Sequence, residues 1–212
     1  MTGHIITIAQ QKGGSGKTTI AAHLAVAFQL QGLRVGLLDI DPQGSLGEWF
    51  EARERRLGED RTELSFRTAS GWGARREARS LVRDHDVVIV DTPPKSDLES
   101  GPAIETADLV VTPIQPTPVD LWATRATLAL IEKERSRALL IINRLPARVP
   151  ANAEVLQAIL AMGLAATAQI GNRVAFAQSM GFGSTVLETA PASKGALEVE
   201  ALASEVLRHA AA

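Results

Sequence analysis

The stretch that decides the fold is Gln10-Gln11-Lys12-Gly13-Gly14-Ser15-Gly16-Lys17-Thr18-Thr19, between an apolar run at 5–9 and a helical pattern over 17–31. Its glycines let the backbone turn closely and point several N–H groups inward, and the helix N-terminus adds partial positive charge. This concavity fits a polyphosphate, with Lys17 on the β- and γ-phosphates and the Thr18 hydroxyl on Mg²⁺. A glycine-rich turn that only joins strand to helix is the alternative.

Short apolar runs alternate with helical patterns along the rest of the chain. The predicted strands are 5–9, 35–39, 64–68, 87–91, 109–113, 138–143 and 166–170, and most are apolar throughout, as parallel strands buried on both faces are. The predicted helices are 17–31, 45–55, 74–83, 119–134, 153–162 and 194–208. The pattern predicts one α/β domain over 1–212, a doubly wound, mostly parallel sheet of P-loop NTPase type, with a frayed tail at 209–212.

Composition narrows the function classes. The 212 residues are 45% hydrophobic and 22% charged, which is typical of a folded globular protein, and the net charge of −2 opposes a globally basic nucleic-acid binder. The absence of cysteine excludes disulfides, thiolate zinc sites, iron–sulfur clusters and cysteine nucleophiles. No signal-peptide pattern begins the chain and no apolar run is long enough to span a membrane, so we expect a cytoplasmic protein.

Carboxylates follow two of the predicted strands. Asp39 and Asp41 end the second strand, where Pro42 and Gly44 turn the chain, and Asp91 ends the apolar run 87–90 in the Walker B arrangement. Open α/β sheets bind ligands at this carboxyl edge. A helix N-cap is the alternative reading for one of the first two aspartates, but hardly for both.

The loop departs from the general P-loop pattern, because Gln11 stands where that pattern has glycine and Lys12 follows as an extra lysine. Lys-Gly-Gly-x-Gly-Lys-Thr at 12–18 is the deviant Walker A motif, and here the sequence resembles the ParA/MinD family of ATPases, in particular the short, ParF-like ParA partition ATPases. The resemblance implies that Lys12 reaches across a homodimer interface to the nucleotide of the other subunit. A solvated surface lysine is the alternative.

The resemblance also implies roles for other residues, with ATP and Mg²⁺ as cofactors. Asp41 would position the attacking water, Asp39 would support the Mg²⁺ shell or the catalytic lysine, and Asp91 would hold Mg²⁺ together with Thr18. Segment 92–99 would respond to the γ-phosphate. The expected nucleotide contacts are Lys12, Gly13, Gly14, Ser15, Gly16, Lys17, Thr18, Thr19 and Asn143. Asn143 would meet the adenine edge, with a turn asparagine at a strand end as the alternative.

The same resemblance implies a Mg²⁺-dependent ATPase that forms an ATP sandwich dimer, binds DNA non-specifically and is associated with the nucleoid. No positioned histidine stands in these motifs as a strong general base, so we expect slow hydrolysis. A ParB-like or small DNA-binding partner would stimulate hydrolysis and so position a plasmid, chromosome or protein cluster. We expect no N-terminal DNA-binding extension. The expected DNA contacts are Arg173, Lys194, Arg144 and Arg148.

Three other functions are the alternatives to a positioning ATPase that binds DNA. A MinD-like membrane cycler needs a basic amphipathic helix at the C-terminus, but glutamates outnumber the single arginine over 196–212, which predicts no membrane partner. A metabolic or redox ATPase of this fold would need cluster cysteines or substrate residues that we do not find. An ATP-gated adaptor that recruits a DNA-processing complex is the nearer alternative.

Overall fold

The structure is a computed structural model that describes residues 3–94, 97–147 and 153–212. Within these ranges, six parallel strands form one sheet in the order β3-β2-β4-β1-β5-β6. The strands are β1 (His4–Ile8), β2 (Val35–Asp39), β3 (Leu64–Thr68), β4 (Val87–Asp91), β5 (Leu109–Ile114) and β6 (Ala138–Ile142). The predicted α/β class and mostly parallel sheet are confirmed, and the strands 35–39, 64–68 and 87–91 have the predicted bounds.

Helices cover both faces of the sheet. They are α1 (Lys17–Leu30), α2 (Ser45–Leu57), α3 (Ala74–Leu81), α4 (Asp97–Glu105), α5 (Pro118–Lys133), α6 (Ala153–Leu160), α7 (Val174–Met180), α8 (Val186–Thr189) and α9 (Lys194–Ala210). Short 3-10 turns lie at Glu59–Arg61 and Gly71–Gly73. Within the described ranges, no helix combines the length and apolarity needed to cross a membrane.

The core has two sides because successive strand residues point to opposite faces of the sheet. On one face, Ile6 and Ile8 pack with α1, α2, α8 and α9 in the largest apolar cluster. On the other face, Ile5 packs with α3 and α4, and further clusters join β5 and β6 to α5 and α6. The strands between these layers are buried on both sides, which explains their nearly continuous apolar sequence.

The pairing register brings the predicted site residues to one edge. Asp39 of β2 is the neighbour of Asp91 of β4, and Asp91 is in turn the neighbour of Ile8, the last residue of β1 before the P-loop. The carboxylates that end β2 and β4 and the P-loop that follows β1 therefore meet at the carboxyl edge of the sheet, where open α/β sheets bind ligands.

Two predictions at the C-terminal side are wrong. Segment 166–170 is not a strand of the sheet: single bridges flank it, from Ala165 to Leu140 and from Gly171 to Leu145. The Thr167 and Ala168 amides donate to the Glu205 carboxylate at 2.8 and 2.9 Å. The prediction of a frayed tail at 209–212 is wrong for His209 and Ala210, which continue α9 and of which Ala210 is buried, whereas Ala211 and Ala212 lie beyond the helix. Burial of the last turn against the core stabilises it beyond its sequence propensity.

Candidate functional site

The P-loop between β1 and α1 lies in a cleft of about 730 Å³. Gly14 and Gly16 have φ angles of +75° and +97°, in the left-handed region that glycine adopts without strain. Gly16 caps α1, and a Cβ at that position would collide with the side-chain amide of Asn143. Several predicted residues line the cleft together: Gly13, Gly14, Gly16, Lys17, Thr18, Thr19 and Asp41. Ser15 is buried beneath them.

Thr18 and Asp91 meet at the base of this cleft. The Thr18 hydroxyl donates to Asp91 Oδ2 at 2.6 Å, and Asp91 Oδ1 is buried without a hydrogen-bond partner in the described part of the chain. Burial raises the pKa of Asp91 to about 7, against the opposing effect of the Thr18 hydrogen bond. A hydroxyl beside a carboxylate with a free oxygen is the oxygen-donor chemistry that Mg²⁺ takes, in part through its waters.

Lys17 is the buried cation of the site, with 7% of its surface exposed. Burial lowers its pKa, and the carboxylates of Asp91 and Asp41 act in the opposite direction. A desolvated lysine at the N-terminus of a helix suits a bound polyphosphate, because the phosphate oxygens would replace the water that burial removes from its ammonium group.

Asp39 and Asp41 have different surroundings. Both oxygens of Asp39 accept backbone amides, from Asp41 at 3.0 Å and from Gly47 at 3.2 Å, and burial raises the pKa of this carboxyl. Asp41 is partly exposed, lines the cleft and accepts the Gln43 amide at 3.0 Å. Asp39 therefore shapes the turn that presents Asp41 to the cleft. Its predicted support of a Mg²⁺ shell or the catalytic lysine stays a prediction.

Lys12 is held outside the cleft. Its ammonium group lies 2.5 Å from Oδ2 of Asp120, a fully buried carboxylate in the first turn of α5. Thr117 caps α5 by accepting the Asp120 amide at 3.2 Å. Sequence reasoning missed Asp120, although Thr-x-x-Asp at 117–120 carries the signature of a helix start.

A buried polar cluster joins the start of the P-loop to α5. The Gln10 side chain donates to the Thr124 hydroxyl at 3.0 Å and accepts from the Thr127 hydroxyl at 2.9 Å. The Thr127 hydroxyl accepts the Gln11 amide at 3.1 Å. Asp120, Thr124 and Thr127 therefore form one polar stripe on α5, at a spacing of four and three residues, beneath residues 10–12.

Asn143 lies under the P-loop, at the end of β6. Its Nδ2 donates to the Ser15 carbonyl at 2.8 Å, and its Oδ1 accepts the Arg144 amide at 2.9 Å. It also lines a second cavity of about 250 Å³ beside Thr19 and Phe176. Asn143 therefore supports the P-loop through the Ser15 carbonyl. Its Oδ1 and Nδ2 can each make one more hydrogen bond, so a contact with adenine stays a prediction.

The predicted DNA contacts lie apart from one another. Arg173 is paired with Glu198 through two hydrogen bonds of 2.6 and 3.2 Å beside the second cavity, and Arg144 lines both cavities with φ of +53°. Lys194 is exposed at the start of α9. Arg148 lies outside the described residues. Two of the four residues, Arg173 and Arg144, therefore lie at the two cavities, and the DNA roles of all four stay predictions.

The fold and this site together define the class of protein. A parallel sheet of this order, with a P-loop after β1 and a strand-end aspartate on the P-loop threonine, is a P-loop nucleotide-binding domain. The profile of the CobQ/CobB/MinD/ParA nucleotide binding domain family matches residues 6–186, and the chain belongs to that family. The ParA/MinD resemblance inferred from residues 12–18, 39–44 and 87–94 is thereby confirmed.

Relatives named for positioning and partition match different shares of the chain. Maintenance of carboxysome distribution protein A of Halothiobacillus neapolitanus is 31% identical over 66% of this chain and 65% of its own length. The protein of the same name from Gloeobacter kilaueensis is 38% identical over 55% of this chain and 51% of its own length. The chromosome-partitioning ATPase Soj of Thermus thermophilus is 29% identical, with 95% of this chain and 94% of Soj covered. The matched part is thus about half to two thirds of the first two relatives.

Solved structures share the fold. The cell division ATPase MinD of Pyrococcus furiosus has a TM-score of 0.82 at 22% identity, with 97% of this chain and 99% of that one covered. MinD of Pyrococcus horikoshii, complexed with Mg-ADP, has a TM-score of 0.81 at 23% identity, with 96% and 95% covered. The ATP complex of an aspartate-to-alanine variant of Cyanothece McdA has a TM-score of 0.76 at 18% identity, with 98% and 96% covered.

Proposed function

We propose that this chain is a slow, Mg²⁺-dependent ATPase of the ParA type that works as a positioning switch. The cleft supports ATP and Mg²⁺ as its ligands, because Lys17, Thr18 and Asp91 supply the cation, hydroxyl and carboxylate that a Mg²⁺–triphosphate requires. Mg²⁺, when bound, would neutralise charge on the phosphate oxygens. Asp41 on its turn would orient the attacking water, and no described histidine lines the cleft to act as a stronger base.

The placement of Lys12 carries the proposal of a nucleotide-dependent dimer. Lys12 belongs to the P-loop in sequence, yet it binds Asp120 of α5 and does not line the cleft of its own chain. A P-loop lysine that is unused by its own nucleotide site is available to the nucleotide of a second copy. Dimer formation would exchange the Asp120 carboxylate for phosphate oxygens of that copy.

The dimer would hold DNA without sequence preference, and a ParB-like or small DNA-binding partner would stimulate hydrolysis and release. Release at the partner would position a plasmid, a chromosome or a protein cluster, and the protein would be associated with the nucleoid. The names of the relatives support this range of cargo, since they include both chromosome partitioning and carboxysome distribution.

The C-terminal helix does not favour the membrane alternative. The apolar residues Val199, Leu202 and Val206 of α9 are buried in the core beside α1. A helix that already buries its apolar face has no comparable face left to insert into a bilayer. An adaptor that recruits a DNA-processing complex without hydrolysis-driven movement remains the competing proposal.

Retention on random-sequence duplex DNA, measured with ATP, ADP or no nucleotide, tests the proposal. We expect ATP-dependent retention by wild type, longer retention by Asp41→Ala, and loss of both dimer and retention in Lys12→Ala. Sedimentation of the same samples gives the oligomeric state independently. An ATP-dependent dimer that binds no DNA would contradict the DNA role alone, and a monomer in every nucleotide state would contradict the switch.

A further inference from the structure

The surface of α3 is strongly basic along one line. Its exposed residues and the turn that follows contribute four arginines within nine positions: Arg75, Arg76, Arg79 and Arg83. At about 100° per residue, the three arginines inside α3 fall within about 100° of the helix circumference, and Arg83 follows in the turn after the helix. The opposite side is apolar and buried in the core, through Ala74, Ala78 and Leu81. We call the four arginines the arginine stripe.

The charges around the arginine stripe do not cancel it. Arg67 on the neighbouring strand β3 adds a fifth guanidinium and pairs with Glu77, while Arg75 pairs with Glu105 of α4. Asp84 follows the stripe directly. Arg76 and Arg83 have no hydrogen-bond or ion-pair partner in the described part of the chain. The patch is therefore basic on a chain whose net charge is −2.

The helix dipole does not account for four arginines. Basic residues near the last turn of a helix are worth about 0.3–1 kcal/mol each, but Arg75 and Arg76 lie in the first turn, where positive charge is unfavourable. Like charges one turn apart also destabilise a helix. The arrangement costs stability unless an anionic partner compensates the repulsion.

The spacing of the arginine stripe suits a nucleic-acid backbone. Arg75 and Arg79 lie about 6 Å apart along the axis of α3, and Arg83 lies four positions further along the chain, in the turn after the helix. One strand of duplex DNA carries a charge about every 3.4 Å along its axis, so the stripe can contact several phosphates without reading bases. Arginine offers the planar fork that matches a phosphate.

Two other anionic partners fit the arginine stripe less well. A peripheral membrane helix needs an apolar face to insert, and the apolar face of α3 is already buried. A protein partner would need a poorly charged centre in its interface, and the stripe offers four adjacent charges. Trp72, just before α3, is 80% exposed at the end of the patch, and this one apolar side chain does not form the apolar centre that a protein interface needs.

The arginine stripe is also connected to the segment that follows the Walker B aspartate. Arg75 pairs with Glu105, and Arg79 Nε donates to the Thr106 hydroxyl at 3.3 Å, at the C-terminal end of α4. At the other end of α4, Gly71 packs so closely on the Glu99 backbone that a Cβ would collide with it. Movement of α4 after nucleotide binding would therefore move the stripe.

We propose that the arginine stripe of α3 is the surface by which this protein holds the phosphate backbone of duplex DNA. The assignment rests on the proposed function, in which the ATP-bound dimer binds DNA without sequence preference. It replaces the scattered predicted contacts, of which Arg173 and Arg144 lie at the nucleotide cavities. Each subunit of a dimer would present one stripe.

The test compares Arg76→Gln/Arg83→Gln with the matched control Arg61→Gln/Arg135→Gln. All four are exposed arginines without an ion-pair partner among the described residues, so both variants lose two charges and break no ion pair. The affinity of the full-length protein for a random 24-base-pair duplex is measured by fluorescence anisotropy with ATP at several salt concentrations. ATP hydrolysis and dimer formation are measured in parallel.

We expect the arginine-stripe variant to bind DNA at least tenfold more weakly, with the logarithmic salt slope reduced by about 3.6, since the dimer loses four phosphate contacts of about 0.9 each. Its ATP hydrolysis and dimerisation should match wild type, and the control should bind DNA normally. Wild-type DNA affinity and salt slope in the stripe variant, or an equal loss in the control, would overturn the assignment.

Vesicles containing 30% phosphatidylserine separate the lipid alternative. If the stripe variant loses vesicle binding and keeps DNA binding, the stripe is a membrane surface and the assignment is wrong. If wild type forms an ATP-dependent dimer but binds no DNA, the DNA part of the proposed function fails together with the assignment. If wild type binds DNA and the stripe variant binds it equally, the assignment fails alone.

Discussion

Lys17 and Lys12 lie five residues apart in one loop, and their surroundings differ. Lys17 is buried at the N-terminus of α1, in a part of the loop that Asn143 and the Thr18–Asp91 contact hold in place. Lys12 is partly exposed and is bound by a single carboxylate from α5. The end of the P-loop at Lys17 is therefore organised before a ligand binds, whereas the end at Lys12 can exchange one ionic partner for another.

Removal of the buried lysine should have the largest effect. Lys17→Ala leaves the triphosphate without its cation in a desolvated cleft, where loss of one partner of a charge pair costs about 4 kcal/mol, or about 1000-fold in affinity. Isothermal titration with Mg-ATP measures this loss. Lys12→Ala is the matched control: at protein concentrations too low for dimer formation it should bind ATP nearly as wild type. Equal losses of ATP affinity in both variants would contradict the difference between the two ends of the P-loop.

The next largest effect concerns hydrolysis rather than binding. Asp41→Ala removes the carboxylate that lines the cleft while Asp39 keeps its two backbone contacts. We expect turnover to fall about 100-fold, as for loss of a group that orients or deprotonates water, with ATP affinity nearly unchanged. Phosphate release measures turnover, and Glu48→Ala, on the same cleft wall, should leave it unaltered.

We expect acid to lower the free energy of unfolding through His23 of α1, the helix that begins at the organised end of the P-loop. His23 Nε2 accepts the Val186 amide at 3.2 Å, so Nδ1 carries the proton and donates to the Thr19 carbonyl at 2.8 Å. Burial lowers the pKa of His23 to about 4. The unfolded chain, whose histidine titrates near 6.5, then binds more protons between pH 6.5 and 4, and stability falls as pH falls through that window.

The contribution of His23 between pH 7 and 5 is about 2 kcal/mol. Urea unfolding at both pH values measures it. His23→Gln, which cannot take up a proton, should lose less stability than wild type over this range. A parallel fall in both proteins would show that other groups cause the acid sensitivity.

The smallest expected effect is at the exchangeable end. Asp120→Asn keeps the shape of the α5 start and removes the charge that holds Lys12, so a second copy no longer competes with Asp120 for that lysine. We expect the ATP-dependent dimer to tighten about tenfold, or about 1.4 kcal/mol, at low salt. Sedimentation measures the dimer, and Asp120→Asn/Lys12→Ala should abolish the gain. An unchanged dimer in Asp120→Asn alone would contradict a competing role for Asp120.

The organised end was largely predictable from sequence. The spacing of residues 12–19 and the apolar strand before Asp91 are local patterns, and the backbone requirements of a phosphate loop fix them. The exchangeable end was not, because Asp120 lies 108 residues from Lys12 and nothing local to either residue indicates the pairing.

The errors in the fold have the same origin. Segment 166–170 is apolar enough for a strand, but a carboxylate 37 and 38 residues away takes two of its amides. Helix α4 was not predicted because Gly101 and Pro102 lower the helix propensity of 97–105, and packing against the Gly71–Gly73 turn overrides that propensity. Distant contacts decide these segments.

The Glu205 contact has a consequence for how copies of the chain meet in solution. An edge strand with unpaired backbone amides can pair with a strand of another molecule, and the sheet then extends from one copy to the next. Here the chain beyond β6 runs alongside it only in part, and two of its amides end on a side chain that belongs to α9. A single carboxylate thus helps to close this margin of the sheet against strands of other copies.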